Sequence, residues 1–208
     1  MAVRAVYTKH VLDKKTKKFP FTQPYLEPIS KPGTTGIWLI YGAEKNGKTW
    51  FSVKFAEYLS QFANVLYISA EEGTEDTFQE TLQRAQIDPN NRKLKFIDYT
   101  PLDELDEYLS KRQAPKIVFV DNMTIYNDEL KNGVFRKFTQ KHENKLFVFI
   151  AHEENKEPYT ATAKMAKRLA KIIFRVVGLK VFVSGRCPGG TLIIDEEKAR
   201  IYHGISKN

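Results

Sequence analysis

Cysteine is almost missing from this chain: of 208 residues only Cys187 carries a thiol. One thiol closes no internal disulfide and builds no cysteine-rich metal site, so a packed core has to hold the fold, and the composition fits a reducing compartment. Long apolar runs are missing as well. None approaches the roughly eighteen residues that a membrane span needs, and the start "MAVRAVYTKHVLDKKTKKF" has no apolar stretch of signal-peptide length, so a cytoplasmic protein without membrane contact is expected. Acidic residues are the minority charge, 25 against 33 basic ones, which leaves a net charge of +8. That balance permits an acidic partner such as nucleic acid but does not identify one. What is present in quantity is apolar residue, at 42%, enough for one sizeable core. There is no internal repeat and no low-complexity tail.

The first 35 or so residues are lysine-rich around Lys14, Lys15, Lys17 and Lys18, then interrupted by Pro20, Pro24, Pro28 and Pro32. Proline fixes its own torsion and biases its predecessor away from helix, so residues 1 to 35 are expected to form an extended basic, proline-rich arm closed by "KPGTTG". Phe19, Phe21 and Tyr25 give it an apolar stretch that packs either on its own domain, the simpler case, or on a neighbour. From residue 36 onward short apolar runs ("IWLIY", "VLYIS", "LKFID", "KIVFVD", "LFVFIA") alternate with segments of helical period ("TFQETLQRAQ", "LDELDEYLSKR", "GVFRKFTQKH"). Runs of that length, apolar on both faces, suit a mostly parallel sheet covered by helices on each side, so residues 36 to 208 are expected to be one α/β domain. A lysine-rich helix is expected from about Lys164, and "KVFVSGRCPGGTLIIDEEKARIYHG" reads as short antiparallel strands on one edge of the sheet.

Residues 42 to 49, "GAEKNGKT", satisfy G-x-x-x-x-G-K-S/T between a buried strand and a helix, the context in which this pattern wraps phosphates. Gly42, Ala43, Glu44, Lys45, Asn46, Gly47, Lys48, Thr49 and the following Trp50 are the candidate nucleotide-binding residues. The glycines permit close backbone approach, successive N–H groups face the anion, and the helix N-terminus adds a favourable dipole. Lys48 would meet the β and γ phosphates, and the Thr49 hydroxyl is placed for Mg²⁺. "KIVFVD" delivers Asp121 to the carboxyl edge of the sheet as a second metal anchor, although an aspartate there also suits a turn or helix cap. At the end of "VLYISAEEG", Glu71 and Glu72 offer a carboxylate that polarises water, or simply a solvated pair.

Several P-loop classes do not fit. Asn122, not glutamate, follows Asp121; Asn144 and Lys145 do not continue as N-K-x-D; and "HEENKEPYTATA" has no arginine-rich lid. Taken together the residues resemble the RecA-like ATPase superfamily, particularly its RadA and DnaB-type branch and related single-domain ATPases of bacterial phages and mobile elements, over about residues 35 to 204. The resemblance implies ATP and Mg²⁺ as cofactors, Glu71 as the residue that activates water, and His152, at the end of "LFVFIAH", as a γ-phosphate sensor. "VSGRCPGGT" is similar to the K-x-R-x-G segment that sends an arginine into a neighbour's site. Arg186 matches that arginine, whereas Ser184 stands where the lysine would be. A homo-oligomer with a trans-acting arginine is therefore implied.

From Lys164, the spacing of Lys164, Lys167, Arg168 and Lys171 places four cations on one helical face, with Met165, Leu169 and Ile172 turned to the core. Such a stripe suits phosphate tracking by DNA or RNA and equally suits a solvated face. Tyr159 is the only aromatic in "HEENKEPYTATA", so base stacking there has little support. The expectation is an ATP-hydrolysing, oligomeric ATPase associated with DNA recombination, repair or replication. A nucleotide-dependent assembly switch with little hydrolysis is the first alternative, and a small-molecule phosphotransferase the second.

Overall fold

Alternation along β1 (Gly36–Gly42) decides the layering of the molecule. Trp38 and Ile40 enter one apolar cluster, Ile37, Leu39 and Tyr41 enter another, and none of the five is more than 9% exposed. A strand apolar on both faces needs cover on both, which only helices packed above and below can supply. The computed structural model describes residues 5–204, and it places those helices on each side of a mixed sheet.

After β1 the chain runs through α3 (Lys48–Ser60), β2 (Val65–Ser69), α4 (Asp76–Arg84), β3 (Leu94–Asp98), α5 (Leu102–Ser110), β4 (Ile117–Asp121), α6 (Asn127–Leu130), α7 (Val134–Lys141) and β5 (Leu146–Glu154). It continues with β6 (Glu157–Pro158), α8 (Ala161–Leu169), β7 (Ile172–Val177), β8 (Lys180–Gly185), β9 (Gly190–Ile193) and α9 (Glu196–His203); two short helices, α1 (Thr8–Leu12) and α2 (Leu26–Ile29), precede the sheet. The spatial order is β3-β2-β4-β5-β1-β7-β8-β9, with β6 paired to the end of β5. β3 through β7 in that order are parallel, and β8 and β9 add antiparallel. The parallel strands therefore bring their carboxyl ends to one edge, where Gly42 lies opposite His152 and Ser69 opposite Asp121.

One face of the sheet packs against α3, whose Phe51, Val53, Phe55, Ala56 and Leu59 are all buried. The other is covered by α5, α7 and α8 through Leu105, Leu109, Phe135, Phe138, Ala163 and Ala166. β3 is the outermost strand and only Leu94 in it is buried, so "LKFID", expected to be covered on both faces, is half-open at the edge. Two further differences lie toward the C-terminus. The helix α8 stops at Leu169 because Ala170 turns extended and the Lys171 N–H bonds to Ile37 O, which starts β7 where the apolar period still suggested helix. Residues 196 to 203, expected as strand, form α9, capped by the Asp195 side chain accepting from Lys198 N at 2.9 Å.

The N-terminal segment closes over α3. Phe19 and Phe21 are 3% and 2% exposed, and Phe21 sits 5.2 Å from Tyr58, 5.9 Å from Phe62 and 6.3 Å from Trp38 between ring centres. Phe19 N bonds to Pro32 O at 2.8 Å, and Thr22 N to Tyr58 Oη at 2.7 Å. These aromatic residues thus pack on their own domain, while α1 stands exposed ahead of them. Burying an aromatic side chain in such a cluster contributes several kcal/mol. Phe21→Ala is expected to lower unfolding stability by about 3 kcal/mol, measured by urea denaturation; a loss under about 1 kcal/mol would show that residues 19 to 29 are not part of the cooperative fold.

Candidate active site

The loop between β1 and α3 owes its shape to two glycines used for different purposes. A Cβ on Gly42 would stand 2.2 Å from the carbonyl oxygen of Val176, so this glycine lets β7 pass close by. Gly47 has φ +93° and a Cβ there would meet Leu179 at 2.4 Å, so it serves both the turn and the packing beneath it. The tip of the β7–β8 hairpin braces the loop: Gly178 N donates to Asn46 Oδ1 at 2.6 Å and Leu179 N to Asn46 O at 3.2 Å. Lys48, only 8% exposed, turns its ammonium back onto Ala43 O at 2.9 Å. Burial pushes its pKa down, and the carboxylates of Asp121 and Glu71 pull it back up. A cation folded back onto a glycine-bent loop at a helix N-terminus is suited to phosphate.

The carboxylates stand beside this loop because β2 and β4 end beside it. Asp121 is 7% exposed and accepts a hydrogen bond at 2.5 Å from Tyr67 Oη, whose own partner in α3 is Ser52 Oγ at 2.7 Å. Burial raises the Asp121 carboxyl to about 6, against the lowering effect of the Tyr67 bond, and the charges of Glu71 and Glu72 add to the rise. Glu71 is held at both oxygens, by His152 Nε2 at 3.1 Å and by Asn122 Nδ2 at 3.1 Å. The His152 bond is the main cause of a lowered Glu71 pKa, so this carboxylate is ionised at neutral pH. Glu72 behaves oppositely: burial and the adjacent Glu71 charge raise it. An ionised carboxylate only accepts, so His152 Nε2 carries the proton, and its buried Nδ1 has no partner.

These groups share a cleft of about 560 Å³ lined by Glu44, Lys45, Gly47, Lys48, Thr49, Trp50, Glu71, Asp121 and His152 among the residues expected from sequence. Gly42, Ala43 and Asn46 shape the loop from behind. Arg186 is elsewhere. It is exposed, its N–H bonds to Lys171 O, and Gly185 lies opposite Ile172, at the sheet edge remote from the loop. The four-cation stripe is also broken. Lys164 and Arg168 are exposed on α8, but Lys167 pairs with Glu157 at 2.8 Å and lies 5.0 Å from the Tyr41 ring centre, and Lys171, beyond the helix, donates to Thr35 O at 2.8 Å. Leu169, expected in the core, is 38% exposed. Sequence reasoning missed Asn122, Tyr67, Thr81, Arg84, Leu179 and Lys198. Asn122 carried a signal, as the amide directly after Asp121; the others come from distant elements with no local mark.

The site fits magnesium by its chemistry. Tyr67 occupies one Asp121 oxygen and leaves the other, and the Thr49 hydroxyl adds a second hard oxygen donor in the same cleft. Among the described residues no group of three or more His, Cys, Asp or Glu side chains could hold a metal by itself. Two protein oxygens completed by phosphate and water are what Mg²⁺ commonly takes.

Solved proteins share this architecture. The flagellar accessory protein FlaH from Methanocaldococcus jannaschii superposes with a TM-score of 0.60 at 16% identity, over 85% of this chain and 91% of that one. A KaiC-like protein from Pyrococcus horikoshii OT3 gives 0.61 at 14% identity over 86% and 93%, and an ATPase domain gives 0.57 at 14% over 80% and 83%. No family profile and no curated protein sequence matches the chain. The chain has the RecA-like P-loop fold: mixed α/β, a mostly parallel central sheet and antiparallel strands at one edge.

The buried carboxyl of Asp121 makes stability pH-dependent. Folded, it holds its proton to about pH 6, whereas its ordinary value is 3.8, so the cost of ionising it is absent below about pH 4 and complete above about pH 6. Asp121→Asn keeps an acceptor for Tyr67 and removes the charge. It is expected to stabilise the nucleotide-free protein by about 2 kcal/mol at about pH 8 and by little at about pH 4, read from urea midpoints. An equal effect at both pH values would overturn this.

Proposed function

We propose that this chain binds ATP with Mg²⁺ and hydrolyses it, as an oligomeric, DNA-associated ATPase of recombination, repair or replication. The observation that carries the reading is the clamp on Glu71: an ionised carboxylate held by Asn122 and His152 in the same cleft as a phosphate-wrapping loop. Lys48 would leave Ala43 O for the β and γ phosphates, with the loop N–H groups around them. Thr49 and Asp121 would hold Mg²⁺, which supplies charge neutralisation at the phosphates. Glu71 would accept a hydrogen bond from the attacking water and take its proton. His152 joins that carboxylate to the end of β5, so a change in its bond to Glu71 would be felt in the segment that follows.

Arg186, exposed and remote from its own cleft, would act only in a neighbour's, so the trans role requires a homo-oligomer. Turnover is then expected to rise with protein concentration more steeply than in proportion. Glu71→Gln is expected to keep ATP binding and lower turnover by about two to three orders of magnitude, measured as phosphate release against a binding titration. If wild-type protein binds ATP but releases phosphate only at background at every concentration, a nucleotide-controlled assembly switch replaces the hydrolytic reading.

DNA contact rests on Lys164 and Arg168, the two cations of the stripe that remain exposed. Changing both to Glu is expected to weaken single-stranded DNA binding at low salt and to flatten the salt dependence by about one to two units of log K against log salt. Unaltered affinity would remove this face from the proposal.

A further inference from the structure

Beyond the loop and the carboxylates, the cleft has a wall made by three helices that are far apart in sequence. Trp50 lies in the first turn of α3, Arg84 ends α4, and Lys198 lies in α9. The Arg84 guanidinium carbon is 5.8 Å and the Lys198 ammonium 5.3 Å from the centre of the Trp50 indole, and all three residues line the cleft. The placement of Lys198 is built into the fold. Ile194 N donates to Leu179 O at 2.9 Å, His203 Nε2 lies 3.1 Å from Val177 O, and Tyr202 packs on Gly178, so α9 is fastened to the same hairpin that braces the loop.

The charges here are poorly compensated. Among the described residues Arg84 makes no ion pair and Lys198 has only Asp195 within ion-pair reach, at 4.0 Å. Two cations drawn to one indole repel each other, and an aromatic face offsets that repulsion less well than an anion does. Four carboxylates line the cleft: Glu71 and Asp121 are engaged with His152, Asn122 and Tyr67, and neither Glu44 nor Glu72 forms an ion pair with Arg84 or Lys198. The Trp50 Nε1–H is buried without a partner. An aromatic plate with two under-paired cations matches a ligand that has a flat base at one end and several negative charges at the other.

We propose that Trp50, Arg84 and Lys198 form the nucleoside-side wall of the cleft: the indole packs on the base, and the two cations leave its face to pair with the phosphates. The inference rests on the ATP reading and extends it to a residue of α9, held at the cleft by the β7–β8 hairpin. Trp38 is fully buried in the core, so Trp50 is the indole that reports on the cleft.

The test is a titration of tryptophan fluorescence and equilibrium dialysis with MgATP and, separately, with magnesium tripolyphosphate, on the full chain and on Lys198→Ala, Arg84→Ala, Trp50→Phe and Trp50→Ala. Each cation variant is expected to weaken both ligands by about three- to tenfold. Trp50→Ala is expected to lose the preference for ATP over tripolyphosphate, and Trp50→Phe to retain most of it while losing the fluorescence change. Circular dichroism confirms that each variant folds. Binding by the full chain with unchanged or tighter affinity in both cation variants overturns the wall, since tighter binding would mean that the cations obstruct the site. Absence of ATP binding by the full chain overturns the ATP reading itself, and the wall with it.

Discussion

The register between parallel strands is the constraint on which the site depends. β1, β5, β4 and β2 are adjacent, and their pairing sets Gly42 level with His152 and Ser69 level with Asp121. A slip of one residue in any of these strands would turn its apolar residues to the wrong face. Trp38, Phe119, Tyr67 and Val148 enter one core and Leu39, Val118, Leu66 and Phe149 the other, so either cluster would lose its packing. The apolar packing therefore holds the register that brings the loop, Glu71 and Asp121 to one place.

Within that frame the electrostatics separate the carboxylates by environment. Asp121 is buried, and its only strong donor is Tyr67, so its carboxyl rises to about 6. Glu71, two residues past the end of β2, gains the His152 and Asn122 donors and falls. The first would gain from a nearby cation, and the second is ionised by its own donors. Groups driven apart in this way are suited to the different roles proposed for them. Glu72 is raised by burial and by the Glu71 charge, and among the described residues the His152 and Asn122 donors go to Glu71, which favours Glu71 of the pair for the proposed role.

Much of this was legible in the sequence, for local reasons. The loop pattern needs only eight consecutive residues, and Asp121 and His152 stand at or just beyond the apolar part of runs whose strand character was plain. The α/β class followed from alternation alone. What failed depended on where one element stops against another. The spacing from Lys164 to Lys171 is helical on paper, yet the Lys171 N–H is claimed by Ile37 O, so the helix ends and the cation is spent on Thr35 O. "DEEKARIYH" carries an aspartate cap and two glutamates in its first turn, a helix start that the neighbouring apolar strands obscured. Arg84 and Lys198 had no local mark, because only the packing of α4 and α9 around Trp50 gives them a common partner.

The brace between the loop and the β7–β8 hairpin links these two kinds of outcome. Asn46 is an interior position of the loop pattern that any residue satisfies, and here its carbonyl oxygen and its own backbone oxygen both receive N–H groups from the hairpin tip. Gly42 and Gly47 are fitted to the same hairpin through Val176 O and Leu179. The loop is therefore supported from beneath before any anion arrives, and its N–H groups need little ordering when one does. The same hairpin holds α9 by Ile194 and His203, so α9 and the loop between β1 and α3 rest on one support although they are far apart in sequence.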